Sequence, residues 1–169
     1  ERIVELALAT IDRDGLGALN MRHLAAEAGV KPMSLYHHFP SKQRMLDAVA
    51  ETIAAAAIGL PPSEGPWTER VRFLFGNLHL LIQAHPQALP LISTAVFRTP
   101  SGRRWMEELM KVLLGAGFTA ERAAAVYHTL GAYTLGGGYA RLLGAEVSSA
   151  EIVTQMIGRW GEYPNLMRV

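Results

Sequence analysis

Apolar residues recur at three- and four-residue intervals along nearly the whole chain, and no segment alternates apolar with polar for the length of a strand. Ile3, Leu6, Ala7, Thr10 and Ile11 mark one face of a first helix, which the run DRDGLG should end. Met21 to Ala28 predicts a second, with Asn20 as N-cap and Gly29 just past its end. Pro32 suits a first turn and opens a third, reaching about Phe39 and stopped by Pro40. Ser41 begins a fourth that continues through MLDAVAETIAAAA. The stretch IGLPPSEGP then gathers proline, glycine and serine, dividing the chain into an expected N-terminal domain at 1–58 and a second at 67–169.

The second domain continues the helical pattern. It predicts a helix from Trp67 to about His85, a short apolar one in PQALPLISTAV, and one from Pro100 to Leu114 with Thr99 as N-cap. After GAGF, Thr119 opens a long helix to about Leu143, and Ser148 with Glu151 has capping-box spacing for another. The end, YPNLMRV, reads as irregular and apolar. The expected class is all-α, with no internal repeat or low-complexity tract.

Half of the 169 residues are hydrophobic, 18% are charged and the formal net charge is +1, so the chain can bury a sizeable core and carries no general surplus for polyanions. Cysteine is absent, which removes disulfides and cysteine-ligated zinc and suits a reducing cytoplasm, the expected location. Runs such as VRFLFGNLHLLI are broken by Arg72, Asn77 and His79 and fall short of the roughly 20 residues that span a bilayer. No signal-peptide pattern is present, and no membrane partner is expected. The chain begins at Glu1, which suggests a piece trimmed from a longer one, its second domain incomplete at the end. Charge is nonetheless concentrated locally. Residues 20 to 44 hold Arg22, Lys31, Lys42 and Arg44 against Glu27, a surplus of +3 beside three histidines.

Two helices joined by three or four residues and crossing steeply need a small residue on the first and a glycine in the turn. Ala25 and Gly29 meet that need, while Leu24, Ala28, Val30 and Leu35 supply the apolar wedge. At about 100° per residue from Leu35, Phe39 falls on the same side, Met33, Tyr36 and His37 point away, and Ser34 lies on the flank. Taken alone, the pattern equally fits a helical hairpin whose aromatic residues complete a core. Two additions favour a surface for nucleic acid. Phe39-Pro40-Ser41-Lys42 sets free backbone N–H groups and a cation beside the exposed face, as a phosphate would require, and Arg22 starts the preceding helix near the same surface.

Residues 3 to 53, above all MRHLAAEAGVKPMSLYHHFPSKQRMLDAV, resemble the DNA-binding domain of the tetracycline-repressor (TetR) family of transcriptional regulators. Leu24-Ala25, Gly29-Val30, Leu35-Tyr36, His38-Phe39 and Ser41-Lys42 follow the family pattern. The resemblance implies an all-helical homodimer on double-stranded operator DNA, with the helix from about Pro32 to Phe39 in the major groove. It implies a base contact from Arg22, whose guanidinium can pair with guanine O6 and N7, and backbone contacts from Tyr36, His38 and Lys42. Ser34 and His37 are further base-contact candidates, and Lys31 lies in the same basic segment. Pro32 and Met33 stand where relatives carry polar readers, so recognition there would be apolar, as with a thymine methyl.

Within the second half, TPSGRRWMEELMKVLLGAGFTAERAAAVYHTLGAYTLGGGYARL resembles the C-terminal domain of the tetracycline-repressor branch, notably GF followed by a long helix containing YTLG. The helix from Val71 to Ile82 is apolar nearly all round and is expected to lie centrally. Asn77, His79, Tyr127 and His128 are candidate polar contacts for a small-molecule effector, and Phe73, Phe97, Trp105 and Met110 candidate walls of an apolar cavity. For each polar residue singly, a satisfied structural role is the plainer reading. In the tetracycline repressor a histidine on the short helix after the domain's first long helix helps bind the drug's metal ion; QALPLISTAV has none, and neither metal nor cofactor is expected.

Each glycine of GGG at 136–138 costs roughly 0.8 to 1 kcal/mol against alanine in a helix interior. Packing within the monomer or close approach of a partner helix would offset that. The resemblance favours the second, with Tyr133, Leu135, Gly138 and Leu142 at a dimer seam. The expected function is a DNA-binding regulator, a repressor released by an apolar or aromatic effector, and not an enzyme, since the chain has no nucleophile elbow, phosphate loop, HExxH or carboxylate pair. A helical enzyme and a dimeric interaction module that never meets DNA are the alternatives.

Overall fold

The computed structural model describes residues 2–57, 61–62 and 64–143, and every regular element among them is helical. Four helices precede the proline-rich segment: α1 (Arg2–Asp14), α2 (Met21–Glu27), α3 (Pro32–His38) and α4 (Lys42–Ala57). Four follow it: α5 (Trp67–Ala84), α6 (Leu89–Arg98), α7 (Pro100–Gly115) and α8 (Ala120–Leu142), with a 3-10 turn at Pro86–Ala88 before α6. The capping box expected at Ser148 and Glu151, and YPNLMRV, lie outside the described residues.

Local chemistry sets the ends. Asn20 Oδ1 accepts the N–H groups of Arg22 and His23 at 2.9 and 3.2 Å, and Thr99 Oγ1 accepts the N–H of Gly102 at 2.9 Å. Thr119 Oγ1 does the same for Arg122 at 3.3 Å. Each such cap is worth about 1 kcal/mol. α1 extends through DRD to Asp14, past its expected end, because Ile11 is fully buried and the helix closes only where Gly15 turns with φ of 86°.

Burial continues across the proline-rich segment. Ile11, Leu24, Leu35, Met45, Val49 and Ile53 form a core that runs on into Leu81, Ile82, Leu89 and Ile92 from α5 and α6. A second core, including Leu74, Trp105, Leu109 and Leu113, joins α5, α7 and α8, with Phe75 and Trp105 edge to face at 5.2 Å. Polar ties also cross between the two halves. His85 Nδ1 lies 2.9 Å from Asp12 Oδ2, Arg98 donates to Asp47, and Glu51 accepts the N–H and Oγ–H of Ser101 at 3.0 and 2.7 Å. α4 is thereby fastened to α6 and to the start of α7. No single helix among the described residues is long and apolar enough to cross a membrane.

Candidate functional site

α2 and α3 form a helix-turn-helix whose turn is closed by its own backbone. Gly29 takes φ of 70°, the left-handed conformation that favours glycine, and Val30 N–H donates to the Ala25 carbonyl at 2.9 Å. Pro32 at the first turn of α3 presets its φ. α3 is anchored by one fully buried side chain, Leu35, with Val30 and Phe39 half-buried against the same core. The other six residues of α3 are exposed, Met33 by 81%. A seven-residue helix holds little stability by itself, so this amount of outward apolar and aromatic surface is not explained by packing.

The expected DNA-contact residues lie on α3 and at the helix ends that precede and follow it. Arg22 stands in the first turn of α2, Lys31 precedes α3, and Pro32, Met33, Ser34, Tyr36, His37 and His38 project from α3; all are exposed. Lys42 opens α4, where Ser41 Oγ accepts the Arg44 N–H at 3.2 Å. Cations and a helix N-terminus thus border an exposed, mostly uncharged helix, the division of labour between phosphate and base contacts.

A cavity lies behind α4. Ile53 and Ala54 of α4 form one wall, and Phe75, Leu78 and Leu81 of α5 another. Ile92, Ser93, Ala95 and Val96 of α6, Gly102 and Trp105 of α7, and Tyr127, Gly131 and Leu135 of α8 complete it. Its volume is about 80 Å³. Burial raises the Tyr127 pKa above its ordinary value of 10.0, so its hydroxyl stays protonated at neutral pH. Among the described residues no three histidine or carboxylate groups are gathered as a metal would need.

Of the residues expected to contact an effector, Trp105 and Tyr127 line the cavity, and Phe73, Asn77, His79, Phe97, Met110 and His128 do not. The buried side chains of α5 are Val71, Leu74, Phe75, Leu81 and Ile82, with Leu78 packed against both cores, and Phe73 and Asn77 are half-buried outside the cavity lining. His79 is exposed and pairs with Gln83 at 3.0 Å, Phe97 is 69% exposed, His128 is exposed, and Met110 packs into the second core. The Val71 to Ile82 helix is accordingly not covered all round, with Leu80 62% exposed. Sequence reasoning missed the α4 wall, having assigned that helix to the N-terminal domain alone, and it missed Ser93 and Gly102. A signal existed for Gly102. A glycine inside a helical pattern can mark close approach, and a Cβ there would lie 2.3 Å from the Ala95 carbonyl oxygen.

The glycine triplet divides. A Cβ on Gly138 would meet Ile82 Cγ2 at 2.6 Å and Leu89 Cδ2 at 3.3 Å, so this glycine packs inside its own chain, correcting its assignment to a dimer seam. Leu135 also faces inward, onto the cavity, and Leu142 is half-buried. A Cβ on Gly136 or Gly137 would have no neighbour within 4 Å, and with Tyr133, Ala132, Ala140 and His79 these two glycines border an open groove. Tyr133 is 82% exposed, and α8 buries only Ala123 and Gly138 over its 23 residues.

Residues 3–49 match the family described as bacterial regulatory proteins, tetR family, and residues 60–168 match the tetracyclin repressor-like C-terminal domain. The HTH-type transcriptional repressor DrrR1 of Streptomyces coeruleorubidus is 27% identical over 149 residues, 84% of this chain and 53% of that protein. The chain spans little more than half the length of such curated relatives. Among solved structures, the TetR family protein ActR of Streptomyces coelicolor in complex with actinorhodin superposes with a TM-score of 0.79 at 28% identity, covering 99% of this chain and 82% of that one. BioQ with its double-stranded DNA operator gives 0.70 at 28% identity, covering 81% and 83%.

Proposed function

The chain belongs to the TetR family of bacterial regulatory proteins, and from that premise we propose that it is a cytoplasmic, ligand-responsive repressor that binds palindromic operator DNA as a homodimer and carries no catalysis. The observation that supports this best is that one helix serves both sites. α4 begins with Lys42 beside the recognition helix α3 and ends with Ile53 and Ala54 in the cavity wall. A small apolar or aromatic molecule in the cavity presses on the helix that positions α3. It releases DNA only if it binds the DNA-incompetent geometry more tightly than the competent one.

Helix α8 offers the dimer surface. Its outward face has little side-chain bulk at Gly136, Gly137 and Ala140, where a second copy could approach closely, and Tyr133, Thr134, Arg141 and His79 border the same groove. On this reading the N-terminal domain at 1–58 supplies the DNA contacts and the segment 67–169 the effector and dimer contacts. The likeness to ActR, solved with actinorhodin, and to BioQ, solved with its operator, supports both halves.

Fluorescence anisotropy with a selected operator, across salt concentrations, tests the proposal. Arg22→Ala should relax preference at one base position and cost roughly 1 to 3 kcal/mol. Lys42→Ala should weaken binding to all sequences and flatten the salt slope by about one per subunit. Binding that is equal and salt-insensitive for wild type and both variants would sink it.

A further inference from the structure

Sulfur chemistry in this chain is confined to methionine, since cysteine is absent. Five of the seven methionines lie among the described residues. Met45 is fully buried, Met21 is 5% exposed, and Met106 and Met110 are half-buried. Met33 differs from all four. It is 81% exposed on the second residue of α3 and belongs to neither core, while Leu35 is the one buried side chain of that helix. We infer that Met33 is an oxidation site, at which a hydroperoxide converts the thioether to a sulfoxide and so lowers operator affinity, an inference that rests on the operator-binding reading above.

The step transfers one oxygen atom. A sulfur lone pair attacks the peroxide, the S–O bond forms as the O–O bond breaks, and the departing oxygen takes up the proton of the transferred one. It leaves as water, or as an alcohol from an alkyl hydroperoxide. Sulfur is oxidised by two electrons and the peroxide reduced by two. Access to the sulfur favours Met33 over the buried methionines. The product presents a different surface to DNA. A thioether is apolar and can lie against a thymine methyl, whereas a sulfoxide carries a strongly polar oxygen that accepts hydrogen bonds and donates none. Against a thymine methyl that oxygen is desolvated without a partner, and the phosphates around it are themselves acceptors. The fold does not depend on the same atoms, because Met33 packs into neither core.

Treatment of the full chain with hydrogen peroxide, in EDTA and stopped once Met33 is converted, tests this. Peptide mass spectrometry follows each methionine and fluorescence anisotropy reads affinity for a selected operator. Met33 should oxidise several-fold faster than Met106 or Met110, and saturating operator should slow it. Conversion should weaken operator binding at least about fivefold with circular dichroism and melting temperature unchanged. The two methionine sulfoxide reductases, one for each epimer, should together restore it. A Met33→Leu protein, whatever its own affinity, should keep that affinity through the same treatment. Unaltered binding after complete conversion of Met33 would overturn the inference, and so would an equal loss in the Met33→Leu protein, which would place the effect at another methionine. Oxidation of Met33 at one rate with and without operator would remove it from the contact and overturn the inference too. An untreated protein that binds no selected operator would overturn the operator reading itself, and this inference with it.

Discussion

Substituting Gly102 by alanine should destabilise the protein, although alanine is the better helix former. A Cβ there would sit 2.3 Å from the Ala95 carbonyl oxygen, 2.5 Å from its carbon and 2.7 Å from Val96 Cα. These are backbone atoms of α6, so no side-chain rotation relieves the overlap. α6 and α7 would have to part by about 1 Å to restore contacts near 3.5 Å, and a gap of that size forfeits a quarter to a half of each neighbouring dispersion contact. The same movement pulls on the Thr99 cap, whose hydroxyl both accepts from Gly102 and donates to Ala95 at 2.9 Å. Overpacking of this kind costs about 1 to 3 kcal/mol and a strained hydrogen bond about 1 more, against a gain of roughly 1 from helix propensity. The net expectation is a loss of about 1 to 3 kcal/mol. Gly76→Ala in the middle of α5, where nothing lies within 4 Å of the new methyl, should instead stabilise by up to about 1 kcal/mol. Urea unfolding followed by circular dichroism, at matched protein concentration, compares the two. A Gly102→Ala protein as stable as wild type would refute the close packing of α6 on α7.

Gly137→Arg adds bulk to the open face of α8 and should shift sedimentation toward monomer with helicity unchanged; a variant fully dimeric at low micromolar concentration would place the seam elsewhere. Gly138→Leu, by contrast, should lower thermal stability through its clash with Ile82, and an unchanged melting temperature would contradict that packing. Glu51→Ala leaves the start of α7 without its carboxylate and should cost about 1 to 3 kcal/mol in urea unfolding, while Glu51→Gln, which retains an acceptor for Ser101, should cost less. Tyr127 is held neutral by burial, so its contribution to stability is complete below pH 10 and declines as pH rises from 10 through its raised folded pKa; Tyr127→Phe should remove that part of the alkaline slope.

The helix-turn-helix was legible because its determinants are local. Asn20, Gly29, Pro32 and Ser41 each act on neighbours within a few residues, and Leu35 declares the inward face of α3 by its spacing. The cavity was less legible because its walls come from five helices, and membership depends on the phase of each against the others. Trp105 and Tyr127 fall inside, whereas Phe97 and His128, equally plausible by residue type, fall outside. The triplet at 136–138 shows the same limit. Helix propensity indicates that something must offset three glycines, but it does not distinguish Ile82 of the same chain from a second copy. Three consecutive residues point in directions about 100° apart, so both neighbours can be served.

Selection of bound sequences from random duplex DNA tests whether α3 reads bases. The expected result is enrichment of a near-palindrome whose half-sites lie about one helical turn apart or somewhat more. Within each half-site, Arg22→Ala should erase the preference at one position, and Met33→Ala, which removes an 81% exposed side chain, should change it at another. A pool that stays random through successive rounds, from a protein that is folded and dimeric, would contradict the assignment of this chain as an operator-binding regulator.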